Sequence, residues 1–435
     1  MCIVHARFSG LILALLAMSG GAQSLYPPQV GPHPTLPPPQ TGRLVPTVNI
    51  APAIGWAPGE KPVAAPGLSV NVFAAGLDHP RWLYALPNGD ILVAETNAPP
   101  KPAERGPRTW VMKKIMGRAG ANSGSADRIT LLHDANGDGI AETRSVLLRG
   151  LHSPFGMAVV GNRLYVANAD AIVSVAWRKG ANAIVETPRK LVDLPGGPSN
   201  HHWTKSLLAS RDGSRLFVGV GSNSNAAENG MGEEVNRADI LEVDIASGKT
   251  RVHASGLRNP VGLAWEPTTG ALWAVVNERD ELGDDLVPDY LTRIRAGAFY
   301  GWPYSYWGQH IDPRVHPQQP DLVARAIAPD YALGSHVAPL GLAFATRSSL
   351  PGHSEGAYVG LHGSWNRHQL VGYKVIFVPF KQGGPAGPPQ DILTGFVDKD
   401  GRAKGRPVGV AVASDGSLLV ADDVGNRIWR VSARK

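Results

Sequence analysis

One hairpin pattern recurs along the chain and constrains its fold more than any other feature. Each copy has a short apolar strand, a turn, and a second strand rich in Val, Leu and Ala, followed by Asn, Glu or Asp. The six copies lie at residues 82–97, 156–170, 206–223, 262–278, 341–363 and 409–426. Repetition of one two-stranded unit is typical of all-β folds in which each copy forms the same part of a repeated sheet.

The spacing of the copies favours a β-propeller over other all-β repeats. The chain between copies is too long for an up-and-down barrel, in which strand pairs follow one another directly. Small residues such as Gly and Ala crowd the repeated strands, which suits strands close to a central axis. We therefore predict an all-β, six-bladed β-propeller over residues 67–435. Residues 69–73 and 427–431 are predicted to share one blade and close the ring.

The N-terminal residues 1–23 have the order of a secretory signal peptide. Arg7 precedes an apolar run at 11–18, and small residues follow it. The run is too short to span a bilayer, which takes about 20 apolar residues, and no longer run follows. We therefore expect a periplasmic or secreted protein without a transmembrane segment. The only cysteine, Cys2, lies in this signal, so the mature chain is expected to have no disulfide.

Residues 24–66 are dense in proline and lack apolar periodicity. This composition predicts either a linker or an extended wrap over the surface. The formal net charge of +6 is modest for 435 residues, and the basic residues are scattered apart from a short cluster at 113–118. Such a distribution argues against a nucleic-acid partner.

Polar and charged residues concentrate in the loops that precede or follow the repeated hairpins. These loops cover residues 201–207, 256–265, 277–291, 334–344, 362–368 and 398–410. In a propeller they would meet at one mouth of the central channel, and loops on a rigid scaffold commonly form binding sites. The cations gathered there would be Arg258, Arg367, Arg402, Lys404 and Arg406. Such cations suit an anionic small molecule, and the acidic 277–291 loop suits Ca²⁺.

Short motifs in these loops resemble those of a known enzyme family. The motifs are HHW, GLRNP, NERDELGDDL, YGWPY, HVAPLG, HGSWNR and GRPVG. They resemble the soluble sugar dehydrogenases that depend on pyrroloquinoline quinone (PQQ), most closely the sorbosone dehydrogenase branch, over residues 67–433. The resemblance implies a six-bladed propeller that binds PQQ and Ca²⁺. It also implies oxidation of an aldose, or of a hydrated aldosone, at C1 by hydride transfer to the quinone, with a soluble or membrane electron acceptor.

The same resemblance implies roles for particular residues. His202 would be the general base, and Arg258 and Asn259 would contact oxygens of the quinone, Arg258 as a catalytic group. The backbone carbonyls of Asp280 and Glu281 would hold the calcium ion of the cofactor. The remaining cofactor-binding residues would be His336, which lines the site, and the cations Arg367, Lys404 and Arg406, of which Arg367 and Arg406 would bind carboxylates.

Four residues at three places depart from the pattern of the glucose enzymes in the family. Ser222 stands where those enzymes have an aspartate that orients the base, and Val261 replaces a glutamine beside the substrate. Lys205-Ser206 replaces a Gly-Arg pair. These departures argue against glucose as the substrate more than against the chemistry.

The residues themselves leave three interpretations of the adjacent pair His201 and His202: metal ligands, a catalytic base, or polar loop residues. Zinc is disfavoured because no third ligand lies at metal-binding spacing. In an extended segment only one of two neighbours points at the axis, so we predict His202 as the base and His201 as structural. An imidazole, with an ordinary pKa of about 6.5, suits proton removal near neutral pH.

A second oxygen-rich loop, at 133–142, is independent of the predicted mouth. Its oxygen-bearing residues are Asp134, Asn136, Asp138 and Glu142. An EF-hand is excluded because no helices flank the loop. The sequence predicts either a structural calcium site or a tight polar turn without metal.

Two other functional classes remain open from the sequence. A six-bladed propeller can also be a calcium-dependent hydrolase of lactones or phosphoesters, or a binding module without enzymatic activity. The hydrolase would need carboxylates and an Asn that converge on the axis, whereas the predicted mouth is cationic. A binding module would not need a histidine, arginines and an acidic loop at one mouth.

Overall fold

The computed structural model describes residues 26–41, 47–100, 117, 120 and 124–434. Its strands form six antiparallel sheets of four or more strands, which confirms the predicted all-β, six-bladed propeller. The predicted signal peptide at 1–23 lies outside the described residues, as does most of the basic cluster at 113–118. Among the described residues, no helix has the length and apolar content to span a bilayer.

Three strands near the N-terminus join the edges of later blades. They are β1 (Val30–Gly31), β2 (Val63–Ala64) and β3 (Leu68–Ala75).

Blades 1 to 3 each have four strands that follow one another from the axis outwards. Blade 1 consists of β4 (Pro80–Ala85), β5 (Ile91–Glu95), β6 (Arg128–His133) and β7 (Thr143–Leu148). Blade 2 consists of β8 (Met157–Val160), β9 (Arg163–Ala167), β10 (Ala171–Ala176) and β11 (Arg189–Asp193). Blade 3 consists of β12 (Lys205–Ala209), β13 (Arg215–Val220), β14 (Asp239–Asp244) and β15 (Thr250–Ser255), with a 3-10 turn at Met231–Glu234.

Blades 4 to 6 take edge strands from the N-terminal segment. Blade 4 consists of β16 (Asn259–Trp265), β17 (Leu272–Asn277), β18 (Pro288–Arg293), β21 (Tyr331–Ser335) and then β1. Between β18 and β21 lie the hairpin β19 (Ser305–Tyr306) and β20 (His310–Ile311) and the short helix α1 (Pro320–Val323). Blade 5 consists of β22 (Pro339–Phe344), β23 (Gly356–Leu361), β24 (Lys374–Lys381), β26 (Gln390–Thr394) and then β2, with β25 (Gly384–Pro385) paired to β24. Blade 6 consists of β27 (Pro407–Val412), β28 (Leu418–Asp422), β29 (Arg427–Ala433) and then β3.

The six hairpin copies of the sequence form the two innermost strands of the six blades. The 206–223 copy is the β12–β13 hairpin, in which Gly213 takes a positive φ of 70° at the turn. Blade 6 closes the ring as predicted, because the C-terminal β29 pairs with the N-terminal β3. In this pairing Arg427 lies opposite Ala75, and Val431 lies opposite Val70.

Glycines on the inner strands allow the blades to approach closely at the axis. A Cβ on Gly341 would lie 2.3 Å from the carbonyl oxygen of Val408 in the next blade. A Cβ on Gly156 would lie 2.2 Å from the backbone nitrogen of Leu207 in the next blade. Neither distance is possible for a real side chain, so the backbone contact between these blades requires glycine.

One buried apolar side chain from each blade packs at the axis, in a cluster that we call the axial floor. In blade order its members are Trp82, Phe155, Trp203, Val261, Leu340 and Val408. The Trp82 and Phe155 rings lie 4.7 Å apart between centroids, and the Phe155 and Trp203 rings lie 6.0 Å apart. Burial of these large side chains removes apolar surface from water at the centre of the ring, which stabilises the closed arrangement.

The described part of the proline-rich 24–66 segment runs along the outer side of the later blades. Val30 pairs with Leu333 in blade 4, and Val63 pairs with Thr394 in blade 5. Between these points the Trp56 ring packs on Trp429 of blade 6, with 5.1 Å between centroids. We call this segment, residues 26–41 and 47–66, the N-terminal wrap.

Replacing Gly341 with Ala is expected to destabilise the propeller, because its Cβ would lie 2.3 Å from the Val408 carbonyl oxygen. Overpacking of this kind costs roughly 1–3 kcal/mol of unfolding free energy. Gly384→Ala is the control, because a Cβ at Gly384 has no heavy atom within 4 Å. Urea denaturation should show a lower midpoint for Gly341→Ala alone. Equal midpoints for the two variants would contradict this backbone contact at the axis.

Candidate active site

The six inner strands start at one end of the propeller, and the residues around these starts form what we call the axial mouth. The second strand of each blade runs antiparallel to the first and so ends there. In blade 4, for example, Asn259 at the start of β16 pairs with Asn277 at the end of β17. Hydrogen bonds join neighbouring blades at this level: Ser222 N donates to Arg258 O at 2.8 Å, and Asn277 Nδ2 donates to Pro339 O at 2.9 Å.

The ring of His202 is oriented by blade 3. Its Nδ1 lies 2.8 Å from the carbonyl oxygen of Ser222 and 3.1 Å from the hydroxyl oxygen of the same residue. Because a carbonyl only accepts hydrogen bonds, Nδ1 carries the proton and the lone pair is on Nε2. The Ser222 hydroxyl in turn donates to the carbonyl of Ser224 at 2.6 Å, which fixes its position. The neutral ring therefore has the tautomer that a base acting through Nε2 requires.

The surroundings of His202 keep it neutral. Burial holds the pKa of His202 well below its ordinary value, and the positive charge of Arg258 lowers it further. The hydrogen bond to Ser222 opposes this shift without outweighing it. A general base must be unprotonated to act, and the low pKa keeps the ring in that form at neutral pH.

His201 has a different environment from its neighbour. Its side chain is exposed, whereas that of His202 is half-buried. The His201 backbone nitrogen donates to Asn223 Oδ1 at 3.2 Å, and its ring packs edge-to-face on the His202 ring at 4.6 Å between centroids. Across the described residues, no group of three metal-ligating side chains includes either histidine.

Arg258 is buried, and each of its guanidinium nitrogens donates to an acceptor in the protein. Nε donates to Asn225 O at 3.2 Å, and Nη1 donates to Glu278 O at 2.7 Å. Nη2 donates to Asn225 Oδ1 at 3.0 Å and forms an ion pair with Asp280 Oδ2 at 3.1 Å. The guanidinium is thus fixed in place near His202, and it acts on that ring through its charge.

Asp280 connects Arg258 to His336. Its Oδ1 accepts a hydrogen bond from His336 Nδ1 at 3.2 Å, and His336 Nε2 donates to Gly283 O at 2.9 Å. Burial lowers the pKa of His336, but the Asp280 carboxylate and the Gly283 carbonyl outweigh it and raise the pKa. The three side chains therefore form a row of alternating charge, from Arg258 through Asp280 to His336, and the predicted role of His336 in lining a cofactor site stays a prediction.

Asn225 was not predicted as a site residue, and it holds this row together. Its Oδ1 accepts from Arg258 Nη2 and from the Asp280 backbone nitrogen, the latter at 2.9 Å. Its backbone oxygen accepts from Arg258 Nε and from Trp302 Nε1, the latter at 2.9 Å. The only sequence signal was its place among the polar residues that follow the second strand of blade 3.

Asn259 and His202 approach each other across Gly221. A Cβ on Gly221 would lie 2.3 Å from Asn259 Oδ1 and 2.5 Å from the Cβ of His202. The Asn259 Oδ1 atom is buried and has no hydrogen-bond partner within the described part of the chain. The Asn259 side chain thus keeps hydrogen-bonding capacity for a ligand.

Arg406 lies on the other side of the mouth, where blade 6 begins. Its guanidinium stacks on Tyr373 at 5.0 Å, and its Nη2 donates to Ala51 O in the N-terminal wrap at 3.0 Å. The Arg406 Nε atom is buried without a partner among the residues that the structure describes.

The other two predicted cofactor-binding cations have partners in surface loops. Lys404 pairs with Glu60 of the N-terminal wrap and lies 5.6 Å from the centre of the Trp56 ring. Arg367 forms an ion pair with Asp285 at 2.9 Å and donates to Asp284 O at 2.6 Å, although its Nε has no partner in the described chain.

A second cluster at the mouth was missed in the sequence. Asp423 Oδ2 accepts from Arg81 Nη1 at 2.7 Å and from His362 Nε2 at 2.9 Å, and His79 Nε2 lies 3.6 Å away. The Arg81 guanidinium lies 5.6 Å from the ring centre of Trp203 in the axial floor. These residues lie at strand ends in blades 1, 5 and 6. The sequence repeats predict where those strands end, but they do not predict which side chains meet there.

The two backbone carbonyls predicted to hold calcium already have donors. The Asp280 carbonyl accepts from Arg279 Nε at 3.0 Å, Arg279 Nη2 at 2.8 Å and Asn225 Nδ2 at 3.1 Å. The Glu281 carbonyl accepts from Arg314 Nη1 at 3.4 Å. A carbonyl oxygen with three donors has no lone pair left for a cation, so the described arrangement of Asp280 does not fit calcium coordination.

The oxygen-rich loop at 133–142 forms a compact turn. The carboxylates of Asp134, Asp138 and Glu142 offer ligand atoms within 4.8 Å of one another. The loop's own N–H groups also use these oxygens, as when Gly137 and Gly139 donate to the two carboxylate oxygens of Asp134 at 2.7 and 2.8 Å. The geometry accommodates either of the two predicted alternatives, a polar turn or a cation site.

The fold and the mouth together define a propeller protein with clustered polar and charged side chains at one end of its axis. The chain belongs to the TrAA12-like family, whose model matches residues 124–289 and 314–434.

Relatives and solved structures agree with this assignment. The PQQ-dependent pyranose dehydrogenase of Coprinopsis cinerea is 25% identical over 369 residues, which are 68% of this chain and 48% of that protein. The chain thus spans about half the length of that relative. The holo form of its PQQ domain superposes with a TM-score of 0.69 at 23% identity, covering 88% of this chain and 100% of that one. A calcium structure of a Trichoderma reesei protein of carbohydrate-active enzyme family AA12 superposes with a TM-score of 0.68 at 21% identity, covering 89% and 99%. The predicted resemblance to the PQQ-dependent sugar dehydrogenases is confirmed at this level.

The pKa of His202 in the cofactor-free protein is expected to lie below the ordinary value of about 6.5, because its environment disfavours the charged ring. Arg258→Gln should raise this pKa, because the variant removes a nearby positive charge. Arg402→Gln should leave it unchanged, because Arg402 is exposed and pairs with Asp398 and Asp400. Histidine chemical shifts measured by NMR against pH test this. A His202 pKa at or above 6.5 would contradict it.

Proposed function

We propose that the chain is a PQQ-dependent dehydrogenase that oxidises an aldose or a sorbosone-like aldosone at C1, with His202 as the general base. The observation that carries the proposal is the anchoring of His202 Nδ1 on the Ser222 carbonyl at 2.8 Å, which leaves the lone pair on Nε2. The Coprinopsis cinerea relative named above, a PQQ-dependent pyranose dehydrogenase, supports the same reaction class.

The side chains at the mouth fit an anionic cofactor such as PQQ. Arg406 and Arg367 each have a buried Nε without a partner in the described residues, and Asn259 has a buried amide oxygen without one. Leaving such groups unpaired costs roughly 1–3 kcal/mol each, which a ligand with carboxylate and carbonyl oxygens would relieve. In this proposal Arg406, Arg367 and Asn259 bind the cofactor, and His336 and Arg258 lie beside it.

PQQ, when bound, supplies the acceptor for the hydride and so takes the electron pair from C1. The protein contributes the proton transfer: His202 Nε2 accepts the hydroxyl proton of the substrate as the C1–H bond breaks. Such general-base assistance is typically worth about 10²–10⁴-fold in rate. Arg258, which Asn225 and Asp280 hold in place, supplies a fixed positive charge that favours negative charge developing nearby.

Calcium has no step in this proposal. The three donors on the Asp280 carbonyl leave it no lone pair, so the cofactor's calcium on the Asp280 and Glu281 carbonyls does not fit the described residues. The place that we propose for calcium is the 133–142 loop, as a structural ion held by Asp134, Asn136 and Asp138. The carboxylates of Asp134 and Asp138 lie close together there, with that of Glu142 beside them.

The residues near the base support a substrate other than glucose. Val261, which stands at the position of a substrate-side glutamine in the glucose enzymes, belongs to the axial floor and is fully buried. It therefore offers no hydrogen bond to a sugar hydroxyl. Ser222 stands in place of the aspartate that orients the base in the glucose enzymes. In this chain the carbonyl and hydroxyl groups of Ser222, which are neutral, contact His202 Nδ1.

The remaining parts of the proposal concern the cell. Export through a signal peptide at 1–23 would place the enzyme in the periplasm or the medium, and electrons would pass to a soluble or membrane acceptor.

The rival hydrolase is less well supported, because Asp280 and Asp423 each already pair with an arginine and a histidine. Dye reduction by purified protein with PQQ and a panel of aldoses and aldosones distinguishes the classes, since a hydrolase or a binding module would reduce no dye.

His202→Ala is expected to lose nearly all turnover, because the base acts in the chemical step. His201→Ala should lose far less, since the His201 ring is exposed and lies edge-to-face on the His202 ring. Dye reduction measures turnover, and quenching of tryptophan fluorescence measures PQQ binding, which both variants should retain. If both variants lose PQQ binding equally, the pair serves folding or cofactor packing rather than catalysis.

Calcium should raise the melting temperature of the wild-type protein, because an ion that binds only the folded state stabilises it. Replacing both Asp134 and Asp138 with Asn should abolish this rise and leave room-temperature activity unchanged. Thermal unfolding with calcium and with chelator tests both statements. Loss of activity with normal melting would place the 133–142 loop in the active site instead.

A further inference from the structure

The segment that carries His202 is held by one buried lysine. Lys205, the first residue of β12, has a fully buried side chain. Its Nζ atom donates to Trp203 O at 3.2 Å, and to His202 O and Asn200 Oδ1 at 3.4 Å each. Backbone N–H groups of the described residues donate to neither of the two carbonyls. The lysine thus contacts the backbone of the base and residues on both sides of it in the chain.

Asn200 ties the same segment to the surrounding blades. Its Oδ1 also accepts from Arg237 Nη1 at 3.0 Å, and its Nδ2 donates to Ala169 O in blade 2 at 3.1 Å. Arg237 Nη2 in turn donates to Gly196 O at 2.6 Å. The amide of Asn200 is therefore a fixed point, to which Lys205 attaches the backbone of the base.

Packing alone does not account for a lysine at this position. Burial and the positive charge of Arg237 hold the pKa of Lys205 well below its ordinary range, against the opposing charge of Asp170. A buried amine loses its solvation by water, whereas a methionine would fill the same space without that cost. What distinguishes lysine from an apolar side chain here is the set of hydrogen bonds to the segment of the base.

The backbone of His202 matters because the hydrogen bond of its ring is a neutral one. The Nδ1 atom donates to the carbonyl of Ser222 at 2.8 Å. Ser222 stands where the glucose enzymes have an aspartate, and a hydrogen bond to a neutral carbonyl is weaker than one to a carboxylate. The position of the ring therefore depends more on the segment that carries it.

We propose that Lys205 is a positioning residue of His202, which fixes the backbone of the base and thereby keeps His202 Nδ1 on the Ser222 carbonyl. Lys205 touches no substrate in this proposal, because it acts through the carbonyls of His202 and Trp203. Its effect on the ring is independent of the function proposed above, whereas its effect on turnover rests on that function.

The test replaces Lys205 with Met, which removes the three hydrogen bonds and keeps an unbranched side chain of similar length. NMR of isotope-labelled histidine rings distinguishes the two neutral tautomers, and His202→Ala identifies the signals of His202. We expect wild type to carry the proton on Nδ1 and K205M to show a mixture of tautomers. In dye reduction, kcat of K205M should fall by up to about 100-fold at unchanged KM and PQQ affinity, because a displaced base is misaligned for proton transfer.

Ser206→Ala is the matched control. Ser206 follows Lys205 in β12, and its Oγ atom is buried without a partner among the described residues. The variant removes a buried polar group from the same strand but no hydrogen bond to the base, so the tautomer of His202 and kcat should stay as in wild type. A change in Ser206→Ala equal to that in K205M would overturn the specific role of Lys205.

Lys205→Gln is a second, milder variant. Its amide is neutral and one bond shorter than the lysine side chain, so it cannot reach all three acceptors. We expect a smaller shift towards mixed tautomers than in K205M. Urea denaturation shows which variants are folded, and a wild-type tautomer in every folded variant at Lys205 would overturn the inference, whatever the turnover.

The two readouts separate this inference from the proposed function. A mixed tautomer with a lower kcat supports both. A mixed tautomer with unchanged kcat supports the positioning role and contradicts His202 as the base. If wild type reduces no dye with any sugar, the proposed function fails, and the tautomer alone decides the role of Lys205.

Discussion

The packing of the inner strands around the axis is the constraint on which the rest of the structure depends. Gly156 and Gly341 let neighbouring backbones meet at distances that a Cβ would forbid. The axial floor is one apolar layer to which every blade contributes a side chain near the start of its inner strand. Loop residues beside these beginnings therefore meet although they are far apart in the sequence. Arg81 and Asp423 are separated by 342 positions and form an ion pair at 2.7 Å.

Local patterns made the fold predictable, whereas the partners of single side chains depend on the paths of distant segments. The hairpins follow from short-range signals such as the apolar strands and the Asp212-Gly213 turn, and six similar copies imply a propeller. Nothing near Lys404 indicates that it will meet Glu60, which lies 344 positions earlier in the N-terminal wrap. The ion pair of Arg81 with Asp423 was not predicted for the same reason, because the two residues lie far apart in the sequence.

The two sides of the mouth differ in how far the protein satisfies its own charges. On the side of blades 3 and 4, Asn225 and Asp280 fix Arg258, and the Asp280 carboxylate is shared with His336. On the side of blades 6 and 1, the buried Nε atoms of Arg81 and Arg406 have no acceptor among the described residues. In the function that we propose, the first arrangement would give a rigid electrostatic environment for chemistry, and the second would give capacity to bind an anion.

The neutral partner of His202 bears on the substrate. A carboxylate beside the Nδ1–H would stabilise the protonated ring and raise the pKa of His202, making it a stronger base. Here the partner is the Ser222 carbonyl, and burial with the Arg258 charge lowers the pKa instead. A weaker base removes protons most readily from hydroxyls that are more acidic than those of ordinary alcohols. Anomeric hydroxyls and hydrated aldehydes have such hydroxyls, because a second oxygen on the same carbon withdraws electrons. For the function that we propose, this environment of His202 would favour oxidation at C1 over oxidation at any other carbon of a sugar.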